Sequence, residues 1–231
     1  MSGTVVSILR SGAIASATII SIVALAVLLF FNPVYVGFEQ ARTGADVLSG
    51  YTAPQVASIT GQVLSELYLG PATFEMTVNG DPVFDPRERA HLADVRSVLF
   101  EFLMLAFAAV LLLAAVLLWR SPSWAWRAMA AGTRVLAGAV VVLAVVFGLF
   151  FEQAFDLFHR LFFGAGTYNF DPRVERLVQL FPDAFWFETS LGLGVVILLG
   201  AIAVRWVAMG RVALGEGVVV GGTPHETGGP A

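Results

Sequence analysis

The chain has 231 residues, 58% of them hydrophobic and only 13% charged, against about 25% charged in soluble domains. A formal net charge of −4, scattered rather than in blocks, argues against nucleic acid as a partner. With 0 cysteines, disulfides, thiol nucleophiles and cysteine-ligated metals are excluded, so the compartment has to be read from membrane topology.

Residues 12–31, GAIASATIISIVALAVLLFF, form an uncharged run long enough to cross a bilayer, which takes about 20 residues. The run is too long for a signal-peptide core, and FNPVYVGF follows it rather than a small-residue cleavage site, so it is read as a retained first span. In 53–69, Val56, Ile59, Val63 and Leu67 recur at helical intervals after Thr52, a capping residue, and the pattern stops at Gly70-Pro71. FEMTVNGDPVF (74–84) predicts a short hairpin turning at Asn79-Gly80. Asp85-Pro86-Arg87-Glu88 then supplies a cap, a proline at the first helical position and a glutamate at the third. No breaker follows until the second span, 98–119, is complete, so one helix is expected to run from Pro86 into the membrane. Glu101 interrupts that span and is expected to snorkel to the outer interface rather than face the bundle.

A loop at 120–134 leads to the third span at 135–151, and the fourth is placed at 189–209. Between them, 147–163 (FGLFFEQAFDLFHRLFF) puts Glu152, Asp156 and His159 on one narrow helical stripe, flanked by Phe151, Phe155, Phe158 and Phe162. Asp171-Pro172-Arg173-Val174-Glu175 repeats the earlier capping pattern and opens a short helix ending near Phe181-Pro182. The Gly-rich tail, 212–231, reads as disordered, with His225 passive in it.

The fold class that follows is an all-α membrane protein: four transmembrane helices carrying a small cap of short helices and a hairpin. All 13 basic residues are arginine. Arg10, Arg120, Arg127, Arg134, Arg205 and Arg211 flank the spans at one side, while most of the acids fall in the connections 32–97 and 152–188. Arginine in short loops marks the cytoplasmic side, so both termini are expected inside and the cap outside. The domain organisation expected is one membrane domain, 1–211, whose cap is formed by 32–97 and 152–188, with a cytoplasmic tail at 212–231.

Two histidines carry the functional signal. His91 stands about seven residues above the apolar part of span two, and His159 about eight beyond that of span three. Each has an acid three residues away, Asp94 and Asp156. Taken alone, each is an ordinary interfacial residue; at equal height on two spans expected to pack as an antiparallel hairpin, they become a candidate pair. Two chemistries suit such a pair. With carboxylates, neutral imidazoles hold a divalent metal, although no HxxxH or HExxH pattern is present. Alternatively, one imidazole serves as base and the other as acid, which an unperturbed pKa near about 6.5 allows.

Residues 88–95 (ERAHLADV), 151–163 (FxxxFDLFHRLFF), 168–172 (YNFDP) and 180–188 (LFPDAFWFE) resemble the bacterial lipoprotein intramolecular transacylase family. The match covers about 88–100 and 150–190; Tyr168 stands where the family would have tryptophan. The resemblance implies a four-helix fold with an extracytoplasmic cap in the bacterial cell membrane and catalytic histidines at His91 and His159. It implies that the sn-2 acyl chain of an S-diacylglyceryl cysteine moves to that cysteine's own α-amine, giving a lyso-form lipoprotein. No cofactor or metal is implied. The partners are the diacylated lipoprotein in the outer leaflet and the bilayer itself. Asp94, Asp156 and Glu152 would support the rings, Arg89 or Arg160 would steady the oxyanion, and Phe155, Phe158, Phe162, Tyr168, Phe170 and Trp186 would line the substrate site and exclude water. Two other readings compete: a metal-dependent membrane hydrolase on His91, His159, Asp94 and Asp156, and a lipid-binding or transport protein without catalysis. Spans one and three hold no charge, which leaves no polar path for transport. Which lipoproteins are clients, acyl preference, oligomeric state and the role of 39–50 have no sequence signature.

Overall fold

The computed structural model describes residues 3–119, 122–164 and 167–220. Among them, in chain order, are α1 (Gly3–Phe30), α2 (Pro33–Thr43), α3 (Ala45–Ser49), α4 (Ala53–Tyr68), β1 (Thr77–Val78), β2 (Asp81–Pro82), α5 (Pro86–Trp119), α6 (Ser123–Leu149), α7 (Phe151–Phe162), α8 (Arg176–Leu180) and α9 (Asp183–Val220). Four of these helices, α1, α5, α6 and α9, are long and apolar enough to cross a membrane. The protein is a multi-pass, all-α membrane protein. At 34 residues, α5 is about 51 Å long, against a hydrocarbon core of about 30 Å. Only its apolar part, 98–119, needs to lie in lipid; residues 86–97 stand above it as part of the cap. Glu101, near the outer end of that part, faces outward from the bundle, where its carboxylate can reach the interface.

The cap is built from sequence signals that act locally. Asn32 Oδ1 accepts the Val34 and Tyr35 N–H groups at 3.0 and 3.1 Å, with Pro33 at the first helical position, and so starts α2. This Asn-Pro pair is the signal for α2, a helix that apolar periodicity does not mark. At α4, the Thr52 N–H donates to Gln55 Oε1 at 2.9 Å. The hairpin pairs Thr77 with Pro82 and Val78 with Asp81, and its turn residues Asn79 and Gly80 take φ of 56° and 94°, as the favoured two-residue turn requires. At α5, Asp85 Oδ1 accepts the Glu88 N–H at 2.8 Å while Glu88 Oε2 accepts the Asp85 N–H at 2.7 Å, a reciprocal capping box. The second copy of the pattern behaves differently. Its glutamate comes one residue later, so Asp171 donates to the Glu175 carboxylate across a closed turn, and α8 starts only at Arg176.

Four expectations are corrected in the membrane half. The 120–134 loop is mostly helix: α6 begins at Ser123, because Pro122 at the cap position frees the Ala-rich segment behind it to propagate. Spans two and three do not form a packed hairpin; α5 packs against α1, while α6 packs against α9 and α1. Small residues decide this, since a Cβ added at Gly132 would lie 2.7 Å from the Ala15 carbonyl oxygen, an approach only small residues permit. The third helix does not run on into the histidine stretch but breaks at Phe150 (φ −139°, ψ 45°), so that α7 is a separate element. Finally, α9 continues to Val220, nine residues into the stretch read as tail. His225 lies outside the described residues.

Three apolar cores result among the described residues. Two lie in the bundle, one around Ile14, Ala125, Met129 and Ala208 and the other around Ile22, Ala26, Leu136, Val140, Ile197 and Ala201. The third lies beneath the cap and gathers Ile59, Val63, Leu67, Phe74, Leu92, Leu180 and Phe185 from five segments. The candidate site opens into the third.

Candidate active site

His91 is in the second turn of α5 and is 6% exposed; His159 is in the third turn of α7 and is 9% exposed. Their rings stack at 27° with centroids 5.9 Å apart. What joins them is the path of α7. Leaving α6 at Phe150, the helix crosses the start of α9, where Phe151 meets Phe187 and Phe155 meets Trp186 at 5.4 and 6.3 Å between centroids, and reaches α5 at His91. Phe163 then wedges against both rings, 4.8 Å from His91 and 5.5 Å from His159.

Each imidazole has its own environment. His159 Nδ1 lies 2.8 Å from the Phe155 carbonyl oxygen. That oxygen can only accept, so the proton is assigned to Nδ1, and Nε2 keeps its lone pair. On His91, Nδ1 is buried and has no hydrogen-bond partner among the described residues. Burial, and then the neighbouring imidazole, lower the His91 pKa to about 4. Burial also lowers that of His159, against the opposing pull of the Phe155 carbonyl and the Asp156 charge. Both rings are therefore neutral at physiological pH.

The pair faces a cavity of about 100 Å³ walled by Phe30, Val63, Leu67, Leu92, Val95, Leu177, Phe181 and Phe185 together with Phe155, Tyr168, Phe170 and Trp186. Its polar groups are the two imidazoles, the Tyr168 and Thr189 hydroxyls and the Trp186 indole; Thr189 is itself 2.9 Å from the Tyr35 hydroxyl. A chamber so lined suits an apolar group and keeps water scarce around two imidazoles.

The structure sorts the other expected site residues sharply. Phe155, Tyr168, Phe170 and Trp186 line the cavity. Phe158 and Phe162 do not; they point outward with Leu157 and Leu161, forming the greasy outer face of an amphipathic helix. Asp94 stands exposed and no hydrogen bond links it to His91, because a carboxylate turned inward with the ring would lose its water. Asp156 pairs with Arg160 at 2.6 Å and accepts from the Tyr168 hydroxyl at 3.4 Å, so it acts on His159 through its charge only. Glu152, one turn before Asp156 on α7, is exposed. Arg89, two residues from His91 and hence on the opposite helix face, pairs with Glu75 at 2.8 Å. Among the described residues no arginine lines the cavity. Among the described residues no three His, Asp or Glu side chains gather where a metal could be held, so the set needed for a metal-dependent hydrolase is not assembled. Sequence reasoning missed the carbonyl that orients His159, the Tyr35–Thr189 pair and the α4 wall. The stripe on α4 was visible, but nothing in it said which cavity it faces.

The family model described as lipoprotein intramolecular transacylase matches residues 11–186. No curated protein matches the chain significantly by sequence. Among solved structures, the membrane integral lipoprotein intramolecular transacylase from Bacillus cereus superposes with a TM-score of 0.75 at 19% identity, over 91% of this chain and 98% of that one. Two histidine-substituted forms of the same Bacillus cereus protein superpose with TM-scores of 0.70 at 18% identity, covering 92% and 91% of this chain and 95% and 96% of those.

Proposed function

The chain belongs to the lipoprotein intramolecular transacylase family, and on that premise we propose that it moves the sn-2 acyl chain of an S-diacylglyceryl cysteine onto the α-amine of the same cysteine, with His91 and His159 as its acid-base pair. The observation that carries this reading is the neutral imidazole pair, 5.9 Å between centroids, facing one apolar cavity.

The chemistry follows from what those groups can do. Donor ester and acceptor amine belong to one molecule, so no acyl-enzyme is needed and a chain without cysteine loses nothing. The α-amine has a pKa of about 7.7–8.0, so a useful fraction is free near neutral pH. Its lone pair attacks the ester carbonyl through a ring of about eight atoms, and holding that ring closed supplies much of the acceleration. As the N–C bond forms, His159 Nε2 takes the ammonium proton. The C–O bond to glycerol then breaks, and the proton returns through His91 to the departing oxygen. An imidazolium with a pKa near 4 gives up its proton readily. One amide and one free hydroxyl replace one ester and one amine, and no proton is gained or lost. The apolar wall withholds the water that would turn the ester into free fatty acid. With Arg89 and Arg160 engaged elsewhere, the hydrogen-bond donors available to the oxyanion are those of the cavity wall.

The arginine asymmetry supports a topology with both termini in the cytoplasm and the cavity at the outer leaflet of the cell membrane. Bundle and cap, residues 1–211, act as one unit. Mass spectrometry of a reporter lipoprotein from cells with and without the protein tests the reading. The lyso, N-acylated form is expected only with it, and His91→Ala or His159→Ala is expected to abolish that form while the variants still fold in detergent. Unchanged conversion by both variants rules out the mechanism.

A further inference from the structure

Glu88 is a buried carboxylate that the acyl-transfer scheme leaves without a task. It lies one turn before His91 on α5 and is 2% exposed. Its two oxygens serve two different segments: Oε2 accepts the Asp85 N–H at 2.7 Å and Oε1 accepts the Leu177 N–H at 2.6 Å. A capping box needs only the first bond, and an exposed glutamate supplies it. Burial pushes this carboxyl above its usual range, with the two N–H donors pulling it back; that cost is the reason to look for a second role.

The second bond supplies one. Leu177 walls the catalytic cavity. Phe170, from the same segment, sets its ring 5.5 Å from that of His91. Arg87, beside Glu88, lies 4.9 Å over the Phe170 ring and pairs with Glu175. Arg87, Glu88 and His91, all in the first two turns of α5, therefore grip one stretch, 170–177. His91 Nδ1 has no hydrogen bond of its own among the described residues, so packing against that stretch, Phe163 and the His159 ring holds the ring in place.

We propose that Glu88 is a positioning residue, its two-sided carboxylate fixing segment 170–177 to the start of α5 and thereby the place of the His91 ring in the cavity. The kinetic side of this rests on the acyl-transfer reading; the structural side does not.

Glu88→Gln tests it, because an amide keeps one acceptor oxygen but turns an NH2 towards the other N–H. In purified full-length protein, kcat on a diacylglyceryl lipopeptide is expected to fall about ten- to a hundredfold with KM within about twofold, since the substrate walls remain. In the histidine-ring NMR spectrum, which holds three residues, the resonance absent from His91→Ala is expected to move. A cap with no positioning role predicts instead activity lost only in step with folded protein, with the His91 resonance unmoved; that result, or wild-type kcat, overturns the proposal. Should Glu88→Gln fail to fold, Arg87→Ala, at an exposed position, releases the same stretch at Phe170. It is expected to shift the His91 resonance and lower kcat less, and no shift overturns the proposal. If the wild-type protein yields no N-acyl product, the acyl-transfer reading fails on its own, and the resonance still decides for or against Glu88.

Discussion

At the residue scale, proton affinity is the sharpest test. His91 has a folded pKa of about 4 against an ordinary 6.5. Above pH 6.5 the ring is neutral in folded and unfolded chain alike and pH has no leverage. Below 6.5 the unfolded chain binds a proton that the folded one refuses, so stability falls as the pH drops towards 4, by on the order of 3 kcal/mol in total. Ring-carbon NMR is expected to show His91 still neutral at pH 5.5. A midpoint near 6.5 for His91 would contradict the burial that the site depends on. The wall makes a second prediction. Phe155→Ala keeps the carbonyl that orients His159 but opens the cavity to water, so hydrolysis should compete with transfer. The ratio of free fatty acid to N-acyl product is expected to rise several-fold, read by lipid mass spectrometry.

At the element scale, three unlike helices meet at the site for three separate reasons: α5 because its capping box starts it well above the membrane, α7 because α6 breaks at Phe150, and α9 because its first turns present Phe185, Trp186 and Thr189 inward. Small residues hold the frame beneath. A Cβ at Gly132 would press on the Ala15 backbone, which cannot yield as a flexible side chain would, whereas one at Gly138 meets nothing within 4 Å. Gly132→Ala is therefore expected to cost about 1–3 kcal/mol through forced separation of α1 and α6. Gly138→Ala is expected to be neutral or stabilising by up to about 1 kcal/mol. Thermal unfolding in detergent compares the two.

At the scale of the whole molecule, the arginine distribution makes a topological prediction that a chain with 0 cysteines makes easy to check. A thiol introduced by Asn79→Cys, at the exposed hairpin turn, is expected to react with a membrane-impermeant maleimide on intact cells. One introduced by Ser7→Cys should react only after permeabilisation. The reverse pattern would place the cavity on the wrong side for an exported lipoprotein. Span number, the caps of α4 and α5 and the hairpin were legible in the chain, because each depends on neighbours within a few residues or on bulk apolarity. The pairing of the histidines was inferred from a hairpin between spans two and three that the fold does not contain. The rings meet by another route, through a break at Phe150 and a helix laid across the bundle end. The direct contacts expected of Asp94 and Asp156 with the rings are not formed, for the same reason. Spacing along a helix puts Asp94 within a turn of His91 and Asp156 within a turn of His159. Which neighbour turns inward, though, depends on where water and counter-charges lie after packing. A sequence carries local geometry and the cost of leaving water; who stands opposite whom is settled only when distant segments compete for the same buried space.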